Sequence, residues 1–213
     1  MPVFTNGERK LLFIHIPKSA GSSVERIGRN RGWIESFSVR GHSLRETSYY
    51  KATLQHLHAE PLSQIFNFNE FDCIFTIVRN PFDRIKSEYY WQLGQGITSF
   101  KVEDWVPMMF QGYRENPFLC DNHIRPQVEF LPDSERFKLL KLEERGAEKA
   151  EEIFEHFSAY SNRSSKIKKV LASRKKHEKR SLKTPEVEYA FFKQYEKIVD
   201  FYKKDFDELG YEI

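Results

Sequence analysis

The sequence predicts an α/β fold in which a central parallel sheet carries helices on both faces. Three observations predict it. Two short apolar runs, residues 11–16 and 71–78, have the length and composition of strands buried on both sides. Each runs straight into a polar loop that opens a helix, and strands alternating with helices imply parallel pairing. The chain, at 213 residues, is long enough to bury a core of its own. A single domain over residues 1–213 is therefore expected.

The elements follow in order. Residues 11–16, Leu-Leu-Phe-Ile-His-Ile, form the first strand. Residues 17–23 form a loop of small side chains, and Ser22 or Ser23 can cap a helix that reaches about Arg31. Residues 33–39 can supply a second strand. Residues 54–66 read as a helix, with Leu54, Leu57, Leu62, Ile65 and Phe66 apolar. Residues 71–78 are the clearest strand of the chain. Asn80 then suits an N-cap and Pro81 a first helical position, in a helix with Phe82, Ile85 and Tyr89 on one face. Residues 94–124 contain three glycines and two prolines and are predicted to be irregular. A strand over 137–142 and helices over 143–160 and 186–209 complete the chain.

Composition narrows the function classes. Hydrophobic residues make up 39% and charged residues 31%, the balance of a soluble globular chain. Two cysteines, Cys73 and Cys120, form neither a CxxC pair nor a zinc pattern, and such sparing use fits a reducing compartment. The first apolar run is far too short for a signal peptide or a membrane span. No targeting segment, no membrane span and a cytoplasmic location are expected. The net charge of +3 is unevenly spread. Residues 163–183 hold ten Lys/Arg against Glu178, either as a solvated loop or as a patch for an anionic ligand. A nucleic-acid partner is not expected.

Two motifs carry chemistry. In His15-Ile-Pro-Lys-Ser-Ala-Gly-Ser-Ser23 a buried strand meets tiny side chains and then a helix N-terminus. Free amides there bind anions, and the helix dipole adds to them. Lys18 supplies a full charge, and Ser19, Ser22 and Ser23 supply hydroxyls. The order differs from a Walker loop, which ends in Gly-Lys-Ser/Thr. In Val78-Arg79-Asn80-Pro81-Phe82-Asp83-Arg84, followed by Ser87, a guanidinium leaves a strand end and a hydroxyl follows two helical turns later. Such a pair can grip a second phosphate.

Together these motifs resemble those of the sulfotransferases that use 3′-phosphoadenosine 5′-phosphosulfate (PAPS). The similarity is closest to the family 2 branch, with the Golgi carbohydrate sulfotransferases and their soluble bacterial relatives. It extends to Arg125-Pro-Gln-x-x-Phe-Leu131 and to the ending around Tyr202–Tyr211. The resemblance implies a P-loop-like three-layer sandwich. It implies that Lys18, Ser19, Ala20, Gly21, Ser22 and Ser23 hold the 5′-phosphosulfate, and that Arg79 and Ser87 hold the 3′-phosphate. Ala20 stands where the family often has glycine, which matters if the position needs a positive φ. The products would be a sulfated acceptor and adenosine 3′,5′-bisphosphate (PAP), with no metal required.

The expected reaction needs a base for an acceptor hydroxyl, and histidine is the usual choice. His56 and His58, between the two motifs, are the first candidates, with His42 a third. Lys18 would stabilise the leaving group. Arg125 and Gln127 could fix the acceptor, expected to be a carbohydrate or another hydroxyl-bearing molecule. Residues 94–124, with Trp105, Phe110, Tyr113 and Phe118, and the basic run 163–183 could wall the acceptor cleft. Two rivals stand beside this reading: a nucleotide kinase using ATP and Mg²⁺, and a non-catalytic module binding anionic glycans or nucleic acid. The acceptor's identity and the oligomeric state are left open.

Overall fold

A computed structural model describes residues 2–39, 49–158 and 184–213. Its centre is a five-stranded sheet. The strands are β1 (Val3–Thr5), β2 (Lys10–Ile14), β3 (Ile34–Ser36), β4 (Cys73–Val78) and β5 (Phe137–Lys141), in the order β3-β1-β2-β4-β5. β4 pairs in parallel with both β2 and β5, so the parallel core predicted from the apolar runs is present. The edge differs from that expectation. β1 is antiparallel to both β2 and β3. The β1–β2 turn explains why: the Asn6 carboxamide accepts from the Glu8 and Arg9 amides, and Gly7 takes φ +92°. Asn-Gly is a hairpin signal that a search for long apolar runs passes over.

Helices cover both faces. All six residues of β4 are buried, and its side chains alternate across the sheet. Phe75 and Ile77 meet α1 (Gly21–Asn30) and α5 (Gly146–Ser158), where Val24, Ala150 and Phe154 are buried. On the opposite face Ile74 and Val78 meet α2 (Ala59–Ile65), through Leu62, and Phe130. A helical subcore joins α3 (Pro81–Gly94), α4 (Val102–Glu115), α6 (Pro185–Lys193), α7 (Tyr195–Phe201) and α8 (Lys203–Leu209) around Trp105, Phe191 and Tyr202. The long helix expected over 186–209 is thus three short ones, turning at Gln194 and Tyr202.

The largest correction falls on residues 94–124. A 14-residue helix, α4, occupies their centre. Val102, Trp105, Val106, Met109 and Phe110 recur at helical spacing and are buried, which outweighs the loss of one amide donor at Pro107. Trp105 and Phe110 therefore belong to the core rather than to an acceptor wall. Residues 54–66 are likewise divided, into a 3₁₀ turn at Leu54–His56 and α2. The basic run 163–183 and His42 lie outside the described residues. Among the described residues, no helix is long and apolar enough to cross a membrane.

Candidate active site

The carboxyl ends of the parallel strands open on one cavity of about 730 Å³, within the usual range for small-molecule sites. The loop after β2, Arg79 with one side of α3, residues 53–56 and residues 120–123 surround it, and Val39, Ile97 and Leu142 complete the lining.

The loop after β2 turns sharply to place α1 beneath the strand end. Lys18 and Ala20 both take φ +66°, a left-handed conformation that costs a non-glycine residue roughly 1–2 kcal/mol. Such strain persists where the surroundings impose it, commonly at functional sites. Ala20 is the N-cap and makes no side-chain cap, so the expected caps Ser22 and Ser23 fall inside the first turn, as its second and third residues. There they line the cavity beside the first-turn amides, of which that of Ser23 bonds the Ala20 carbonyl at 2.9 Å. Lys18 also lines it, its ammonium 5.0 Å from the centroid of the Trp91 ring. Ser19 is buried instead, with its hydroxyl 3.5 Å from Gln127 Oε1.

Gly21 has no substitute at this point. A Cβ there would lie 2.0 Å from Nε2 of His15, whose buried ring packs on the glycine backbone. His15 is itself fixed by Glu25, with Nδ1 2.7 Å from Oε1.

Arg79 and Ser87 face the same cavity. As expected, the Asn80 side chain caps α3 by accepting from the Phe82 and Asp83 amides, with Pro81 at the first helical position. Arg79 Nη1 donates to the Lys18 carbonyl at 3.3 Å, tying the loop after β2 to the end of β4. Gln127 clamps the Arg79 peptide from both sides: Oε1 accepts its N–H at 2.9 Å and Nε2 donates to its carbonyl at 2.7 Å. Asp205, fully buried, accepts in turn from the Gln127 and Val128 amides.

Three imidazoles line the cavity, each backed by a carboxylate. His15 pairs with Glu25. His56 places Nδ1 2.7 Å from Asp121 Oδ2, and His123 places Nδ1 2.6 Å from Glu88 Oε2. The rings of His15 and His56 lie 4.8 Å apart, and those of His56 and His123 5.0 Å apart. Asp121 sits in a left-handed turn, Cys120–Asn122, with all three φ values between +50° and +64°. It also accepts from the Thr53 amide and, at 2.8 Å, from the Thr53 hydroxyl. Asn122 donates to the His56 carbonyl at 2.8 Å, so the turn holds His56 by backbone and side chain.

The other candidates have different work. His58 does not reach this cavity; it lines a smaller one of about 280 Å³ with Lys51 and Phe118. Arg125 is buried, paired with Glu129, and donates to the Pro117 carbonyl at 3.0 Å. Neither Arg125 nor Gln127 lines the main cavity. Both brace the walls, and so the expectation that they touch the acceptor is corrected. Sequence reasoning passed over His15, Glu25, Glu88, Trp91 and Asp121.

One atom each of His56, Asp121 and His123 lies within 4.8 Å of the others, close enough for a metal to bridge. Asp121 already takes three donors from Thr53 and His56, so the cluster is accounted for by hydrogen bonds.

Burial, aided by the neighbouring rings of His15 and His123, outweighs the pull of Asp121 and holds the His56 pKa down at about 3. An unfolded histidine titrates near 6.5. Below that pH the unfolded chain binds a proton that folded His56 refuses. The stabilisation is therefore complete above about pH 6.5 and falls as pH drops towards 3, by about 1.4 kcal/mol per pH unit for a fully shifted group. Urea midpoints should fall between pH 7 and 5, and His56→Gln should flatten that fall. An unchanged slope in the variant would show that His56 is not buried as a neutral ring.

A parallel-core sheet whose strand ends carry a cationic loop, a helix N-terminus and an arginine around one cavity defines a group-transfer enzyme of the three-layer α/β class. The sulfotransferase family model matches residues 1–212, and the chain belongs to that family. Neither the curated proteins nor the solved structures returned a match.

Proposed function

We propose that the protein moves a sulfuryl group from PAPS to an acceptor hydroxyl, on a carbohydrate in preference to other carriers, and releases PAP. One observation carries the reading. Two anion-binding sets, Lys18 with the α1 N-terminus and Arg79 with Ser87, share a cavity with a carboxylate-backed imidazole.

PAPS supplies the activated sulfuryl group. The first-turn amides of α1, with Ser22 and Ser23, hold the phosphosulfate. Lys18 neutralises charge on the bridging oxygen as its bond to sulfur breaks. Arg79 and Ser87 hold the 3′-phosphate. His56 Nε2 takes the proton of the acceptor hydroxyl as its oxygen bonds to sulfur, and Asp121 steadies the imidazolium through Nδ1. Positioning and electrostatics do most of this work. A sulfuryl group carries less charge than a phosphoryl group, so this reading assigns no step to a metal. The two free thiols, Cys73 and Cys120, fit a reducing compartment such as the cytoplasm.

The test is ligand-induced stabilisation. PAP should raise the melting temperature well above the effect of equimolar ATP, which has no 3′-phosphate for Arg79 and Ser87. Arg79→Ala should weaken PAP binding by about 1.5–3 kcal/mol, the scale of one charge-assisted contact. Equal shifts from the two nucleotides would count against the sulfotransferase reading and towards a nucleotide kinase.

A further inference from the structure

The proposed transfer needs one base, and the cavity holds a second imidazole prepared in the same way. Glu88 is 1% exposed, yet its carboxyl stays below the usual range: burial pushes it up, but His123, Gln92 and Lys18 more than offset that. A buried charge is expensive unless it is well paired. Here it fixes the ring of His123. A carboxylate can only accept, so whenever the ring is neutral Nδ1 carries the proton and Nε2 presents a lone pair. The ring is held from other directions as well. Trp91 lies 5.3 Å from it, and Arg84, buried in α3, donates to the His123 carbonyl at 3.0 Å. The same reasoning leaves the lone pair of His56 on Nε2, where Gln55 Nε2 stands 3.2 Å away and donates to it. A donor thus already occupies the place that a hydroxyl would take.

Two carboxylate-anchored imidazoles therefore line one cavity, with ring centroids 5.0 Å apart, and an incoming hydroxyl would replace Gln55 at His56. Neighbouring hydroxyls of a sugar ring stand about one hydrogen-bond length apart. Two bonds of about 2.8 Å, one to each imidazole, span such a pair. We infer that the acceptor presents a vicinal diol: His56 takes the proton of the hydroxyl that is sulfated, and His123 holds its neighbour. This rests on the sulfotransferase reading and narrows its substrate class. No proton is transferred to His123; it accepts a hydrogen bond and sets which hydroxyl meets sulfur.

The test measures sulfur-labelled transfer from PAPS to methyl hexopyranosides, to their monodeoxy counterparts, and to a phenol and a simple alcohol. The native protein should favour the diol over the monodeoxy sugar by about 10- to 100-fold in kcat/KM, the value of one hydrogen bond to a committed acceptor. His123→Ala should reduce that preference to within about threefold, chiefly by lowering kcat/KM for the diol. If His123→Ala fails to fold, Glu88→Gln keeps an acceptor for Nδ1 and should lower the same ratio. Stabilisation by PAP in each variant shows the donor half intact. A preference that persists in a variant still stabilised by PAP overturns the diol assignment alone. Equal transfer to diol and monodeoxy sugars, or efficient transfer to the phenol or simple alcohol with none to the sugars, overturns it as well.

Discussion

His56→Ala is expected to lower turnover by about 10²–10⁴-fold, the range for removing a general base, while His58→Ala stays within about threefold of the native rate. The two histidines stand two residues apart, and the 3₁₀ turn at Leu54–His56 separates their fates. It delivers His56 to Asp121 in the main cavity and leaves His58 over Phe118 in the smaller one. PAP affinity should change little in either variant, since neither side chain belongs to the donor loop. The polyanionic donor should also raise the pKa of His56, because a nearby negative charge favours the imidazolium. PAP binding should then take up protons at pH values from about 3 up to the raised pKa, measurable by calorimetry in buffers of different ionisation enthalpy. Steady-state kinetics on both variants decides the base. Near-normal turnover in His56→Ala together with collapse in His58→Ala would remove His56 from the reaction.

Gly21→Ala is expected to be the most damaging one-carbon change in the protein. The added methyl lands 2.0 Å from His15 Nε2, and that ring is buried and bonded to Glu25, itself buried. Either the ring or the loop must move. A moved ring breaks the buried hydrogen bond to Glu25 and leaves that carboxylate only Arg29, 4.0 Å away, a cost of about 1–3 kcal/mol. A moved loop displaces the first-turn amides, and a misplacement of about 1 Å can cost 10²-fold in rate. Urea denaturation and PAP titration separate the two routes. A variant with native stability and native PAP affinity would show that the contact is slack.

The residues that could be read from the sequence are those whose geometry is local. Lys18, Ser22 and Ser23 follow a strand end within nine residues, and Arg79 and Ser87 flank a cap that Asn80 and Pro81 announce. Their chemistry depends on one loop or one helix. Two of the three carboxylate partners do not share this property. Asp121 meets His56 across 65 residues and Glu88 meets His123 across 35, through packing that no local pattern encodes. The same limit hid α4, whose glycine and proline content argued for a loop until its buried stripe is placed against α6 and α7. Arg125 and Gln127 look like site residues because they are polar and sit beside a motif. The fold turns them inward, where the Arg79 peptide and the Glu129 carboxylate needed partners.

The two halves of the cavity are rooted differently. The donor loop grows from β2, which is paired on both sides within the sheet. Residues 53–56 and 120–123 join no strand; they are held by side chains, chiefly Asp121 and Asn122, from a left-handed turn. Local opening draws on the regions with the fewest such ties. This side of the cavity should therefore breathe without unfolding the sheet, a hinged side to an otherwise fixed vessel. Amide exchange under native conditions gives that asymmetry a scale: protection at 53–56 and 120–123 should fall well short of that in β2 and β4. Equal protection throughout would mean instead that the two sides of the cavity open together.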